Sequence, residues 1–172
     1  FCGIPMQNLV QAYKILLGED AKLLAVVPAS TRYHDCDDGG LVRHLYKMFK
    51  LTKAICDLDM WQIDKVLAVC GILFHDIGKV KSYTKESGKW ENSDVAKYMG
   101  HHLSMSIELF SKHGQEVMEL FGRPELYVDV FHSIGASHGQ VSYGFGSIVD
   151  PQSTEAWLLH MCDMGDSRFE EV

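Results

Sequence analysis

A histidine and an aspartate lie side by side where an apolar segment ends, at His75 and Asp76. The residues before them, 66–74, are apolar and are typical of a helix in the middle of a hydrophobic core. Burying an imidazole and a carboxylate without partners costs several kcal/mol, and pairing with a cation is a common remedy. The pair therefore predicts a metal site.

Other side chains of metal-binding type are spread along the chain, in segments that are predicted to be helical or to follow a helix. A site built from such distant segments needs the whole chain to fold around it, as in an enzyme active site. Imidazole and carboxylate ligands without thiolate suit manganese, iron, zinc, nickel or cobalt, with magnesium at a more carboxylate-rich position. The further candidate ligands are His44, His101, His138 and Asp163.

The elements that must position these residues are mainly helices, because helical periodicity dominates the sequence. His44 shares a predicted helix face with Leu41, Leu45 and Met48, so we expect its side chain to point into the core. A hydrogen-bonded core histidine is the alternative interpretation of that position. The predicted helices cover residues 5–17, 22–27, 41–51, 63–75, 93–114, 116–121, 124–136 and 153–168, with a small β-hairpin near residues 80–91.

The length of 172 residues fits a single domain, 1–172, with one continuous core. The hydrophobic fraction of 47% and the charged fraction of 23% are ordinary for a globular protein. The net charge of -7 makes the chain a poor stand-alone binder of a phosphate backbone, because such binding depends on clustered lysine and arginine. A polynucleotide substrate would therefore be held by an accessory module or partner that is missing from this chain.

The cysteines favour a reducing compartment. The 5 cysteines form no CxxC pair, and Cys56, Cys70 and Cys162 lie in apolar helical segments, so we expect reduced core thiols and a cytoplasmic location. No apolar run reaches the roughly 18 residues of a membrane span, and no secretory signal is visible. Because the chain begins at Phe1, we expect a fragment or a processed protein.

The order of the candidate ligands resembles that of the HD phosphohydrolase superfamily. Gly78-Lys79 follows the His-Asp pair, and the terminal Asp163 lies within a predicted helix, as in that superfamily. The resemblance covers Arg32 to Arg168, and it implies an all-α fold, a single HD-domain helical bundle.

Within the superfamily, the sequence is most similar to the HD domain of YhaM-type 3′-5′ exoribonucleases. The approach to His44 is also similar to the HD-type relaxases of conjugative elements. Unlike in either group, we expect no accessory nucleic-acid-binding domain within these 172 residues. The similar stretches are Tyr33-His34, Gly40 to His44, Met99-Gly100-His101, Ser137-His138-Gly139, Tyr143-Gly144 and Leu159 to Asp163.

The resemblance also implies which side chains bind metal. His102 competes with His101 for one ligand position, and one helical position rotates a side chain by about 100°, so only one of them should face the centre. We favour His101, because it follows Gly100 as in the family pattern. The implied set is His44, His75, Asp76 and Asp163 for one ion, Asp76 as a bridge, and His101 and His138 for a second ion.

Two divalent ions, manganese, iron or nickel with magnesium as an alternative, would hold a phosphate group between them and lower the pKa of a water molecule towards about 7. Asp76 and Lys79 are the predicted catalytic residues. Lys79 would contact the substrate phosphate or orient Asp76, with a surface ion pair as the alternative. Tyr143 is a second predicted substrate-binding residue, which could stack on a base or pack in the core. Arg168 is expected to pair with an acidic neighbour.

These inferences predict a metal-dependent phosphohydrolase that cleaves a phosphodiester of a nucleotide or of a nucleic-acid 3′ end, with no membrane partner. A nucleotide phosphomonoesterase is one alternative. A regulatory HD module that binds metal or nucleotide without turnover is the other.

Overall fold

The computed structural model of the protein describes residues 2–32, 35–99 and 102–169. These ranges are mostly helical and include a two-stranded antiparallel sheet, which confirms the prediction of an all-α fold with a small β-hairpin. None of the helices in these ranges has the length and apolar character that a membrane crossing requires. The elements are α1 (Met6–Leu17), α2 (Gly40–Asp57), α3 (Lys65–His75), α4 (Lys79–Ser82), β1 (Tyr83–Glu86), β2 (Lys89–Asn92), α5 (Asp94–Met99), α6 (His102–Leu120), α7 (Tyr127–Gly135) and α8 (Thr154–Phe169), with 3₁₀ segments at Gly18–Ala25, Pro124–Leu126 and Val141–Tyr143.

Helix α3 lies at the centre of the core and packs against α2, α6, α7 and α8. It begins at a carboxylate cap, since Oδ1 of Asp64 accepts hydrogen bonds from the backbone N–H groups of Val66 and Leu67. Phe74 near its other end is fully buried, which stabilises the fold by roughly 1.5–3 kcal/mol. The helix ends at His75, so the packing of α3 in the core places His75 and Asp76 in the buried interior.

Helix α2 begins in a close contact between backbone segments. Gly39 has a φ of 78°, and a Cβ atom on Gly40 would lie 1.9 Å from the carbonyl oxygen of Asp35. The N–H of Ala29 donates to that same carbonyl at 3.0 Å. The loop before α2 is therefore folded back onto the start of the helix.

The hairpin is shorter than predicted, because its expected first residues are helical. Val80 lies in α4 and not in a strand, which corrects the predicted start of the hairpin. The turn residues Ser87 and Gly88 have φ values of 50° and 83°, the backbone conformation of a type I′ turn. Glu86 pairs with Lys89 beside this turn.

Helix α6 runs to Leu120, so the predicted helix end near Gly114 and the separate helix at residues 116–121 are wrong. Gly114 does not end the helix. It lies within α6, where its lack of a side chain leaves room for a neighbouring ring. A Cβ atom there would lie 2.6 Å from the ring of Phe110, which is fully buried. Residues 100 and 101, inside the predicted helix from residue 93, lie outside the described residues.

The predicted helix at residues 22–27 is also corrected. The chain forms a 3₁₀ segment there, Gly18–Ala25, which starts directly after α1. None of its residues is fully buried, and Ala21, Leu23 and Leu24 pack only partly against the core, which gives little support to an α-helix there.

Candidate metal centre

Four of the predicted ligands converge from α2, α8 and the C-terminal end of α3. Nε2 of His44 lies 3.3 Å from Oδ1 of Asp163 and 3.5 Å from Oδ2 of Asp76. Nε2 of His75 lies 3.3 Å from the same oxygen of Asp76. The ligand atoms of His44, His75 and Asp163 all lie within 4.8 Å of one another. Helices α2, α3 and α8 thus bring together side chains that are far apart in sequence.

In His44 and His75, the ring nitrogen that points away from the centre makes a hydrogen bond. Nδ1 of His44 donates to Oδ2 of Asp166 at 2.7 Å, and Nδ1 of His75 donates to the carbonyl oxygen of Ile72 at 2.8 Å. A neutral histidine that donates from Nδ1 carries its lone pair on Nε2, the atom that faces the centre. Both rings therefore have the tautomer and orientation of metal ligands.

Nε2 of His75 and Oδ1 of Asp76 are buried at the centre and make no hydrogen bond of accepted geometry within the described ranges, although Nε2 of His102 lies 3.0 Å from Oδ1. Both side chains are almost fully buried, so water does not compensate for the missing bonds. A cation bound between the imidazole and carboxylate groups would satisfy both atoms. The donor set and its burial fit a divalent metal ion.

The carboxylates at this centre remain charged and attract positive charge. Burial raises the pKa of Asp76, but His75, Lys79 and His102 lower it more, and the result lies well below its ordinary value. Burial lowers the pKa of His44, but the hydrogen bonds to Asp163 and Asp166 raise it to about 9. The protein groups alone thus favour a positive charge between the carboxylates.

Lys79 forms a buried ion pair with Asp76. Its Nζ atom lies 2.5 Å from Oδ2 of Asp76, and only 6% of the residue is exposed. Burial lowers the pKa of Lys79, but the charge of Asp76 raises it by more. The pKa therefore lies above its ordinary value, and the ammonium group stays protonated. The ion pair is therefore buried and not on the surface, and the role of Lys79 at the centre stays a prediction.

The second predicted pair of histidines is only partly described, since His101 lies outside the described residues. His138 donates from Nδ1 to the carbonyl oxygen of Phe145 at 2.9 Å. Nε2 of His102 lies 3.0 Å from Oδ1 of Asp76, and the rings of His102 and His138 are 5.3 Å apart. His102, the competitor for the predicted role of His101, therefore faces the centre, and the role of His101 stays a prediction.

Gly78 lets the turn after Asp76 pack closely against the helix that begins at His102. A Cβ atom on Gly78 would lie 2.1 Å from the carbonyl oxygen of His102 and 2.5 Å from the backbone nitrogen of Ser106. The N–H of Gly78 donates to Oγ of Ser106 at 2.9 Å. The turn after Asp76 therefore lies directly on the first turn of α6.

Asp166 was not identified as a functional residue from the sequence. It contacts His44 at 2.7 Å, and its other oxygen lies 3.3 Å from Nζ of Lys47. Its spacing of one helical turn from Asp163 is the signal that could have identified it, because residues at i and i+3 share a helix face.

Replacing Asp166 by asparagine is expected to weaken metal binding by about 10- to 100-fold, because His44 loses the carboxylate that orients it and makes it more basic. Competition between the protein and a chromogenic chelator measures this change. Asp57→Asn is the matched control, since it also removes one carboxylate but from an exposed pair with Lys53. Equal affinities of the Asp166 and Asp57 variants would show that Asp166 does not support the site.

A cavity of about 550 Å³ opens onto this centre. Tyr143, predicted to bind substrate, is not among the described residues that line it. Its ring centroid lies 6.4 Å from that of Phe145, which does line the cavity, and 6.0 Å from that of His160. Lys79, His102, His138 and Asp163 also line the cavity.

A comparison of the sequence with models of protein families identifies the family. The family model described as HD domain matches residues 41–164. The chain belongs to the HD domain family. All six predicted ligand positions fall within the matched range, and the match supports a hydrolase of the HD type.

Several curated proteins are similar to this HD domain. The 3′-5′ exoribonuclease YhaM of Bacillus subtilis is 32% identical over 142 residues, 82% of this chain and 42% of the relative. The YhaM of Oceanobacillus iheyensis is 29% identical over 171 residues, 95% of this chain and 48% of the relative. The dihydroneopterin 2′,3′-cyclic phosphate phosphodiesterase of Methanocaldococcus jannaschii is 27% identical over 150 residues, 84% of this chain and 53% of the relative.

These comparisons confirm the resemblance to YhaM-type proteins and also define its extent. The HD domain spans about half the length of the relatives it matches. No solved structure gives a significant match.

Proposed function

We propose that this HD domain uses divalent metal ions to hydrolyse a phosphodiester of a nucleotide or of a nucleic-acid 3′ end. The observation that carries the proposal is the convergence of His44, His75, Asp76 and Asp163 beside an open cavity. The relatives add support, since an exoribonuclease and a cyclic phosphate phosphodiesterase both cleave phosphodiesters.

The proposed ligands divide into two groups around Asp76. His44, His75, Asp76 and Asp163 would hold one ion, and His138 with His102 or His101 would hold a second ion that shares Asp76. When bound, such ions polarise the phosphate group and activate a water molecule for attack on phosphorus. Imidazole-rich ligands favour manganese, iron or nickel, with magnesium as the alternative.

The remaining residues act on position and charge. Lys79 keeps Asp76 deprotonated and oriented, and it also lines the cavity, where its ammonium group can approach a substrate phosphate. Phe145 is 45% exposed and lines the same cavity, so it presents an aromatic surface to a nucleobase. Tyr143 packs near Phe145 and would support that ring or extend the stacking surface.

The proposal includes three properties of the wider protein. The folded unit would span residues 1–172. The nucleotide or nucleic-acid substrate would be held in part by an accessory nucleic-acid-binding domain or partner, because the net charge of -7 disfavours a long phosphate backbone. Hydrolysis would take place in the cytoplasm, which agrees with free thiols at Cys2, Cys56, Cys70 and Cys162.

A substrate panel tests the proposed function. We expect manganese or nickel to support hydrolysis of short single strands or of cyclic nucleotides and cyclic dinucleotides, and a chelator to abolish it. Release of inorganic phosphate from mononucleotides alone would establish the phosphomonoesterase instead. Less than one transition metal per chain after reconstitution with manganese, together with no turnover, would favour the regulatory module.

A further inference from the structure

Among the described residues that line the cavity beside the metal centre, cationic side chains outnumber carboxylates, although the whole chain is acidic. The protein has 16 lysine and arginine residues against 23 aspartate and glutamate residues. Among the described residues that line the cavity, the cations are Arg32, Lys79 and Arg168, whereas Asp163 is the carboxylate. Asp163 is also a proposed metal ligand, so the part of the cavity beyond the metals favours an anion.

Lys79 and Arg32 differ in whether their charged groups form an ion pair within the described ranges. The ammonium group of Lys79 is held by Asp76. The guanidinium group of Arg32 makes no ion pair within the described ranges, and its backbone N–H donates to Oγ of Ser30 at 3.1 Å. A planar guanidinium group that lines a cavity can bind a phosphate group through two parallel hydrogen bonds.

The loop that carries Arg32 is fastened to the helix that carries His44. Nε of Arg43 lies 3.0 Å from Oδ1 of Asp35, and Nζ of Lys47 lies 2.8 Å from Oδ2 of the same carboxylate. Lys47 also reaches Asp166, the partner of His44. The position of Arg32 is thereby linked to the metal centre through α2.

We infer that Arg32 forms a subsite for a second phosphate group, next to the phosphodiester that is hydrolysed. The inference rests on the proposed phosphodiesterase function and specifies its substrate class as oligonucleotides. The exposed ring of Phe145 in the same cavity supports this class, because a base between two phosphates can stack on an aromatic side chain.

A pair of dinucleotides that differ in one phosphate tests the subsite. The unmodified protein with manganese is expected to hydrolyse a 5′-phosphorylated dinucleotide with a kcat/KM about 10- to 100-fold above that of the same dinucleotide without the 5′-phosphate. In Arg32→Ala the ratio of the two kcat/KM values should fall close to one, and Arg32→Lys should recover part of it. The slope of log kcat/KM against log salt should also become shallower by about 0.7 in Arg32→Ala.

Lys112→Ala is the matched control, because it removes one positive charge from an exposed pair with Glu108 on α6 and should keep the full ratio. Equal kcat/KM values for the two dinucleotides in the unmodified protein would overturn the subsite but keep the phosphodiesterase. The subsite would also be overturned if Arg32→Ala lowered kcat/KM for bis(4-nitrophenyl) phosphate, which has a single phosphate, as much as it lowers kcat/KM for the 5′-phosphorylated dinucleotide. No hydrolysis of any of the three substrates by the unmodified protein would overturn the proposed function and the subsite together.

Discussion

An Asp76→Asn protein is expected to purify without bound transition metal and to hydrolyse bis(4-nitrophenyl) phosphate at least about a thousandfold more slowly. Asp76 lies between the two groups of proposed ligands. One of its oxygens is 3.3 Å from His75 and 3.5 Å from His44, and the other is 3.0 Å from His102. An amide in place of the carboxylate removes the negative charge that both groups share, and it replaces one of the two ligand oxygens by an NH2 group.

The ion pair between Asp76 and Lys79 complicates this experiment. Removing the carboxylate alone leaves the buried ammonium group of Lys79 without its partner, which costs about 3–5 kcal/mol of stability. The double variant Asp76→Asn/Lys79→Met removes both charges and conserves volume. We therefore expect it to keep the helix content of the parent, while it remains free of metal and inactive.

Metal analysis and circular dichroism together distinguish folding from function in this series. Lys79→Met alone is the comparison, and we expect it to retain metal because the proposed ligands are intact. Hydrolysis at the parental rate by the folded double variant would remove the proposed centre from the mechanism. Loss of metal from Lys79→Met to the same degree would assign the effect of both variants to the packing of the pair.

Long elements with a buried face were predictable from the sequence. Helices α1, α3 and α8 appear within one or two residues of their predicted bounds, because their apolar residues recur at helical spacing against one core. Gly114 misled the prediction, because a glycine at a helix end and a glycine that makes room for Phe110 give the same letter. The choice between them depends on a neighbour that is known only in three dimensions.

The ligand identities came from a resemblance, and the geometry supplied what the resemblance lacks. The carboxylate of Asp166 and the carbonyl oxygen of Phe145 orient two of the histidines, and neither contact follows from local sequence. Arg32 lies in a polar loop with no periodicity, so its place beside the centre depends on how that loop folds back onto α2. Such partners are tertiary contacts, for which spacing gives no rule.

His102→Ala is expected to reduce bound manganese from two ions to one per chain, whereas His101→Ala should retain both. Successive positions of a helix differ by about 100° in direction, and His102, the first residue of α6, faces the centre. Nε2 of His102 already lies 3.0 Å from Asp76, and its ring contacts that of His138. Elemental analysis after equilibrium dialysis against manganese measures the number of ions in each variant.

The two variants form a matched pair, since each removes one imidazole from neighbouring positions of equal charge. Loss of one ion in His101→Ala and not in His102→Ala would return the role to His101, as the family pattern suggests. Loss of all bound metal in His102→Ala would mean a single ion that His102 helps to hold. Retention of one ion by His102→Ala with its activity reduced would instead separate the roles of the two groups. His44, His75, Asp76 and Asp163 would then suffice to bind an ion, and turnover would require the second group as well.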